Sequence, residues 1–392
     1  MAKLGLVITQ VRGVSYSPKD LHDSLNDESI ILLRANNIKD GKINFDDVVY
    51  IDKKKVNKNQ YLCRGDVLIC TSSGSKELVG KAAFFSENTI ATFGAFCKVI
   101  RPSIPCKEFI GHFFNSPFYR REISSLSSGA NINNIRNEHI DNLEMNLPTE
   151  NIQEAITRRL NFVNSLIESR QKQLSKLDQL VKSRFIEMFG DVYLNTMSWD
   201  EKDLESIADI VSGITKGRKV KNKKLKEVPY MAVSNVKDGY IDWSTVKKID
   251  VTDEEIIRYR LLKDDVLITE GGDPDKVGRG AIIKNPLENC IHQNHIFRVR
   301  LNKLIVLPVF FAEYLQHQKS KRYFLSCAKQ TTGIASINMK QLKSLPVLLP
   351  PIKLQRQFSY FIQQVEKAKL SVKQSLDKLE TLKKSLMQEY FG

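Results

Sequence analysis

The sequence predicts an α+β protein: two repeated mixed α/β domains, each followed by a long helix, with the two helices packing as an antiparallel coiled coil. Three observations predict it. An internal repeat runs through the whole chain, short β-branched runs alternate with polar turns inside each copy, and the apolar period turns helical after Pro148 and after Pro350-Pro351. The 392 residues exceed the usual single-domain range, so more than one core is expected. Expected boundaries are 1–150 and 191–350 for the α/β domains, and 151–190 and 351–392 for the helices.

Self-similarity decides the fold before any local reading does. Val11, Gly13, Val14 and Ser15 find counterparts in Val211, Gly213, Ile214 and Thr215, and Asn37-Ile38-Lys39-Asp40-Gly41 matches Asn235-Val236-Lys237-Asp238-Gly239. Arg64-Gly65-Asp66-Val67-Leu68-Ile69 aligns with Lys263-Asp264-Asp265-Val266-Leu267-Ile268, and Val79-Gly80-Lys81 with Val277-Gly278-Arg279. From Ile135 the offset is a constant 202, pairing Ile135, Leu143, Pro148 and Gln153 with Ile337, Leu345, Pro350 and Gln355 without a gap. Both copies end in Phe-Gly, at Phe189-Gly190 and Phe391-Gly392.

Within a copy, runs such as Val67 to Cys70, Phe96 to Ile100 and Val266 to Thr269 read as strands, divided by turns such as Lys39-Asp40-Gly41. A shorter helical pattern follows near Phe109 to Ser124 and near Pro308 to Leu325. Beyond the prolines, Leu160, Val163, Ile167, Leu174 and Leu177 step by three, four or seven, as do Ile362, Val365, Val372, Leu376 and Leu379. Such spacing over about five heptads is a coiled-coil seam on a rod of roughly 55 Å. Arg170, Lys369 and Lys383 interrupt it. A rod longer than its own domain needs a partner, and antiparallel packing with the other copy supplies one while setting the two domains at opposite ends of a spacer.

Apolar residues make up 42% and charged residues 27% of the chain, which excludes a disordered class. The six cysteines form no C-x-x-C pair and read as reduced, and no apolar run or leader segment suggests a membrane or export, so a cytoplasmic location is expected. The net charge of +15 favours a polyanionic partner, with residues 1–190 carrying +5 and residues 191–392 carrying +10.

No catalytic, cofactor or metal site is legible. Residues 74–82 (GSKELVGKA) miss a phosphate-binding loop by one residue of spacing and place Ala82 where a magnesium-binding hydroxyl belongs. His292 and His295 are spaced for opposite faces of a strand, which is poor for one metal. Nothing assembles a nucleophile, a base and an oxyanion donor.

Cations cluster in Lys216, Arg218, Lys219, Lys221 and Lys223, a density suited to phosphate contacts, with a weaker run at Lys53, Lys54, Lys55 and Lys58. Reading bases, as opposed to gripping phosphates, needs polar side chains on loops that reach base edges. Two pairs of loops qualify. Residues 71–81 and 269–279 contribute Ser72, Ser73, Ser75, Lys76 and Lys81 in one copy and Lys276 and Arg279 in the other. Residues 126–134 and 328–336 contribute Asn131 and Asn133, and Gln330, Thr331 and Thr332. The loops differ between copies while their flanks match, as expected of readers mounted on one scaffold.

The repeated domain, the Ile-x-x-x-x-[Ile/Leu]-x-x-Leu-x-x-x-Leu-Pro-x-x-x-x-Gln stretch (Ile135 to Gln153, Ile337 to Gln355) and the helix closures at Lys182 to Gly190 and Lys384 to Gly392 resemble the type I restriction-modification specificity subunit. The resemblance covers essentially the whole chain. It implies two target-recognition domains, each reading half of a split duplex DNA site, and helices that fix the spacer and bind two DNA methyltransferase subunits. It further implies that restriction/translocase subunits join that core and that catalysis and cofactors belong to the partners. The alternative reading is a non-catalytic coiled-coil scaffold with incidental basic charge, for which DNA affinity would be weak and indifferent to sequence.

Overall fold

The computed structural model describes residues 1–74, 78–128, 134–218, 224–273, 276–331 and 334–392. They divide into two compact units, Met1–Lys172 with Val372–Gly392, and Gln173–Ser371. Each unit therefore contains one α/β domain and part of both long helices.

In the first unit a six-stranded sheet runs in the order Ile8–Arg12, Cys97–Pro102, Val67–Cys70, Ala82–Phe84, Lys42–Ile43, Ile38–Lys39. A four-stranded sheet (Ala91–Phe93, Ser29–Leu33, Val49–Asp52, Leu21–His22) lies beside it, with Ala91–Phe93 parallel to Ser29–Leu33. The second unit repeats the centre of this plan: Ala208–Ser212, Ile296–Leu301, Val266–Thr269 and Gly280–Ile282 form one sheet, and Lys247–Val251, Lys226–Met231 and Ile291–His292 another. Val67–Cys70 and Val266–Thr269 are buried along their whole length, as continuous β-branched runs should be.

Both sheets are joined to their neighbours by one device. Gly13 and Gly213 lie so close to the next strand that a Cβ would meet the carbonyl oxygen of Gly94 at 2.1 Å and of His292 at 2.0 Å. Only glycine permits that approach. The chain then makes a parallel bridge, Val14 to Gly94 in one copy and Ile214 to Gln293 in the other.

The expected single helices are each two. Lys107–Phe114 and Pro117–Ser128 are separated at Asn115-Ser116, because Pro117 has no N–H to continue the first helix and starts the second instead. Pro308–Tyr314 and Gln318–Cys327 divide at the same place, where His317 is extended.

The long helices span Glu150–Phe189 and Ile352–Phe391, 40 residues each, which at 1.5 Å per residue is about 60 Å. Their entries match: Gln153 Nε2 donates to the Pro148 carbonyl at 2.7 Å and Gln355 Nε2 to the Pro350 carbonyl at 2.8 Å. Gly190, in the left-handed region at φ 75°, ends the first helix. In the first unit Ile156 and Leu160 share a core with Met387 and Phe391, and Arg159 donates to the Tyr390 hydroxyl at 3.2 Å. In the second unit Val181, Phe185 and Phe189 share a core with Phe358 and Val365, and Asp178 pairs with Lys369 at 2.7 Å. Within the second unit rising numbers on one helix meet falling numbers on the other, since Arg184 lies over Phe361 while Asp178 meets Lys369. The two helices are antiparallel there.

The seam residues divide by burial. Leu160, Val163, Ile167, Val365 and Val372 are buried, whereas Leu174, Leu177, Ile362, Leu376 and Leu379 are half-buried. Lys369 interrupts the apolar series without leaving an unpaired charge, because Asp178 of the facing helix and Glu366 of its own answer it. Burial lowers the pKa of Lys383, with Lys42 adding to the effect and Glu380 and Glu168 opposing it. Among the described residues no helix is long and apolar enough to cross a membrane.

Candidate nucleic-acid interface

The two candidate loops of each copy, some sixty residues apart in sequence, meet at one joint. In the second unit Gly271–Gly272 pairs with Ile334–Ser336, which pairs with Lys329–Thr331, so residues of both loops form a single three-stranded ribbon. Gly271 suits this approach, since a Cβ there would lie 2.9 Å from the Ala335 carbonyl oxygen. The Ile337 N–H donates to the Glu270 carbonyl at 2.8 Å. The first unit repeats the joint, with Ser72 bridging Asn134 and the Ile135 N–H donating to the Thr71 carbonyl at 2.8 Å.

The far ends of the strand-connecting loops are also fixed alike. Cys70 N–H donates to the Lys81 carbonyl at 2.9 Å and Thr269 N–H to the Arg279 carbonyl at 2.8 Å. Gly80 and Gly278 are left-handed, at φ 80° and 69°, and pack under the second short helix of their domain against Ile123 and Phe324. Near-identical anchors therefore carry different loop sequences, TSSGSKELVGK and TEGGDPDKVGR.

In each domain one ion pair with a buried aspartate holds the strand that leads to the joint. Arg101 donates from Nε and Nη2 to Asp66 at 2.9 and 2.8 Å, and Arg300 donates from Nε and Nη2 to Asp265 at 2.7 and 2.9 Å. Both aspartates are 1% exposed. Sequence reasoning placed Asp66 and Asp265 as matched positions of the repeat, and each carboxylate also accepts from a nearby backbone N–H, that of Cys63 at 2.8 Å and that of Leu262 at 2.7 Å. It missed the arginines, although Arg101 and Arg300 sit 199 apart, the same spacing as the aspartates.

The predicted site residues fall into three groups. Ser75, Lys76, Asn131, Asn133, Lys219, Lys221, Lys223 and Thr332 lie outside the described residues; so do the side chains of Gln330 and Thr331, whose backbone forms the outer strand of the ribbon. Ser72, Ser73 and Lys81 are half-buried at the first joint. Lys276 is described and ion-paired with Asp273, whereas Arg279 makes no side-chain ion pair among the described residues.

Arg218 differs from its neighbours. It donates from Nε and Nη2 to Glu255 at 2.7 and 2.5 Å and holds that carboxyl below the usual range, fastening its segment to the start of helix Asp253–Tyr259. Lys216 and Lys224 remain exposed on either side of the undescribed stretch. In the weaker run of the first domain, Lys55 pairs with Asp20 at 2.9 Å and Lys53 donates to the Asp27 carbonyl at 2.7 Å.

His292 and His295 do not converge. His292 is fully buried, with Nδ1 3.1 Å from the Tyr259 carbonyl and Nε2 3.3 Å from that of Val211, while His295 pairs with Glu270 at 2.7 Å. No group of three metal-ligating side chains occurs among the described residues. Burial pushes the His292 pKa down from 6.5 to about 4. The unfolded chain therefore binds this proton more readily. The resulting stability is present above about pH 6.5 and is lost as pH falls toward 4, the loss reaching about 2 kcal/mol at pH 5. Hydrogen exchange of the second domain at pH 7 and pH 5 measures it, and His292→Gln should flatten the difference. An unchanged pH dependence in that variant would remove His292 from the account.

Two copies of one loop-presenting domain, each leading into its own long helix, define a tandem-duplicated protein. The family model of the type I restriction modification DNA specificity domain matches twice, over residues 9–179 and 197–381, and the chain belongs to that family. It is 29% identical over 408 residues to the EcoKI specificity subunit of Escherichia coli strain K12, and 28% identical over 409 residues to the StySPI specificity subunit of Salmonella potsdam. Each comparison covers 100% of this chain and 88% of the relative. Among solved structures, the type I restriction-modification S subunit from M. genitalium superposes with a TM-score of 0.55 at 15% identity, over 100% of this chain and 95% of that one. A chain from a structural study of complex assembly and conformational transition in a type I system gives 0.53 at 17% identity, over 98% and 97%. These two likenesses concern the fold.

Proposed function

We propose that this chain is the DNA specificity subunit of a type I restriction-modification assembly, reading a split, asymmetric duplex site with one domain on each half. The long helices fix the gap between the halves and dock DNA methyltransferase subunits, two in number, with restriction subunits joining the same core in the cytoplasm. Recognition is this chain's part, and catalysis belongs to its partners. The observation that carries the reading is the duplicated joint: matching hydrogen bonds unite two distant loops in both domains, and the residues they present differ. One scaffold then offers two unlike reading surfaces, which suits a site whose halves are unlike. The net charge of +15 and exposed Lys216, Lys224 and Lys329 supply attraction to phosphate that is independent of sequence.

Substitutions separate the two contributions. Lys216→Ala should weaken binding to all duplexes alike and lower the salt slope by about 1, whereas Arg279→Ala should cost about 1–3 kcal/mol of discrimination at one position of one half-site. Competition binding of the assembled complex on duplex libraries at two salt concentrations tests both. Equal losses on every sequence from both variants, or wild-type binding indifferent to sequence, would return the protein to the scaffold reading.

A further inference from the structure

Each joint includes a third segment that neither loop accounts for. In the first unit the turn Gly94-Ala95-Phe96, between strands Ala91–Phe93 and Cys97–Pro102, lies against residues 71–72. The Phe96 carbonyl accepts from the N–H of Thr71 at 2.9 Å, the N–H of Ser72 at 3.2 Å and the Thr71 hydroxyl at 3.2 Å. In the second unit the His295 carbonyl accepts from the Glu270 N–H at 3.0 Å. Since Thr71 and Glu270 are the residues that also receive Ile135 and Ile337, all three segments are locked together in both copies.

The side chains at this shared position are opposites. Phe96 is 70% exposed although the residues on either side of its turn are buried, and its counterpart His295 binds Glu270 and touches Asn294. A lone exposed apolar residue is ordinary on a protein surface. Its position is what singles out Phe96: the backbone is held alike in both copies while the side chain switches from aromatic to an imidazole, the same pattern of fixed anchor and variable display that marks the two loops. An aromatic ring contributes no hydrogen bond to a base edge, and its match in the major groove is the methyl group of thymine.

We infer that this turn is a third reading segment of each domain, with Phe96 contacting the 5-methyl group of a thymine in one half-site and His295 taking the equivalent place, with polar chemistry, in the other. The inference rests on the specificity reading above and assigns residues to it. Phe96→Ala should lower preference for thymine at one position of one half-site by about tenfold, leaving the other half-site and the gap unchanged. Replacing that thymine by deoxyuridine in the duplex should cost the wild-type complex a similar factor and the variant nothing. Phe96→Leu, which keeps an apolar group, should retain most of the preference, and the intact second half-site reports that each variant is folded. Wild-type preference at every position in Phe96→Ala, or deoxyuridine sensitivity unchanged by the substitution, overturns the inference while the specificity reading stands. A wild-type complex with no split-site preference overturns both.

Discussion

Arg300→Ala is expected to cost the second domain about 3–5 kcal/mol, because it strands a buried carboxylate. Asp265 is 1% exposed and takes two guanidinium hydrogen bonds, so without Arg300 only the Leu262 N–H donates to it among the described residues. The residue caps the strand Val266–Thr269 that leads directly into the candidate loop, so the loss should reach function as a failure of one half-site. Arg101→Ala should do the same to the other half through Asp66. Urea denaturation followed by domain-resolved hydrogen exchange gives the energies. Equal loss of protection in both domains from either single variant would contradict the assignment of one pair to each. Replacing Arg300 and Asp265 together by apolar residues should recover much of the stability, since the penalty lies in the unpaired charge.

Phe185→Ala is expected to be comparably severe, at about 3–5 kcal/mol. The ring is fully buried on the first long helix, 4.9 Å from Phe189, 5.5 Å from Phe310, 5.4 Å from Phe358 and 4.3 Å from the His317 imidazole. Those neighbours belong to both long helices, to the short helix Pro308–Tyr314 and to the cap of the helix after it, so this one side chain fastens the second domain to the helical pair. A cavity here should loosen that attachment before it unfolds either part. The functional readout is the gap: duplexes whose halves are one base pair closer or farther apart should be accepted more readily by the variant. A strict gap combined with the full stability loss would show that spacing is set elsewhere.

Much of this fold was legible from periodicity alone. The repeat, the buried strands Val67–Cys70 and Val266–Thr269 and the two long helices follow from patterns of local sequence, and local patterns survive reading one residue at a time. Asp178 explains what Lys369 is doing on an otherwise apolar stripe, yet no rule of spacing links residues so far apart. Likewise the meeting of residues 71–72 with 134–135 is set by strand register across the domain, and register between distant segments is not written in either segment. Arg218 shows the converse. A dense run of cations reads as one phosphate-binding patch, but this guanidinium is committed to Glu255, and only the geometry distinguishes it from Lys216. The turn at Phe96 escaped because all three of its residues are small or apolar, so Phe96 reads as the first residue of the strand that in fact begins at Cys97, whereas reading loops are sought by their polar content.

The central claim is that one chain directs modification to a two-part site. Genome-wide base methylation, compared between the host and a strain lacking this gene, tests it most directly. The account predicts loss of methylation at a single split, asymmetric motif with an invariant gap, restored by the wild-type gene. A methylome that does not change in a host whose neighbouring methyltransferase is expressed, or loss at a palindromic, uninterrupted motif, would contradict it.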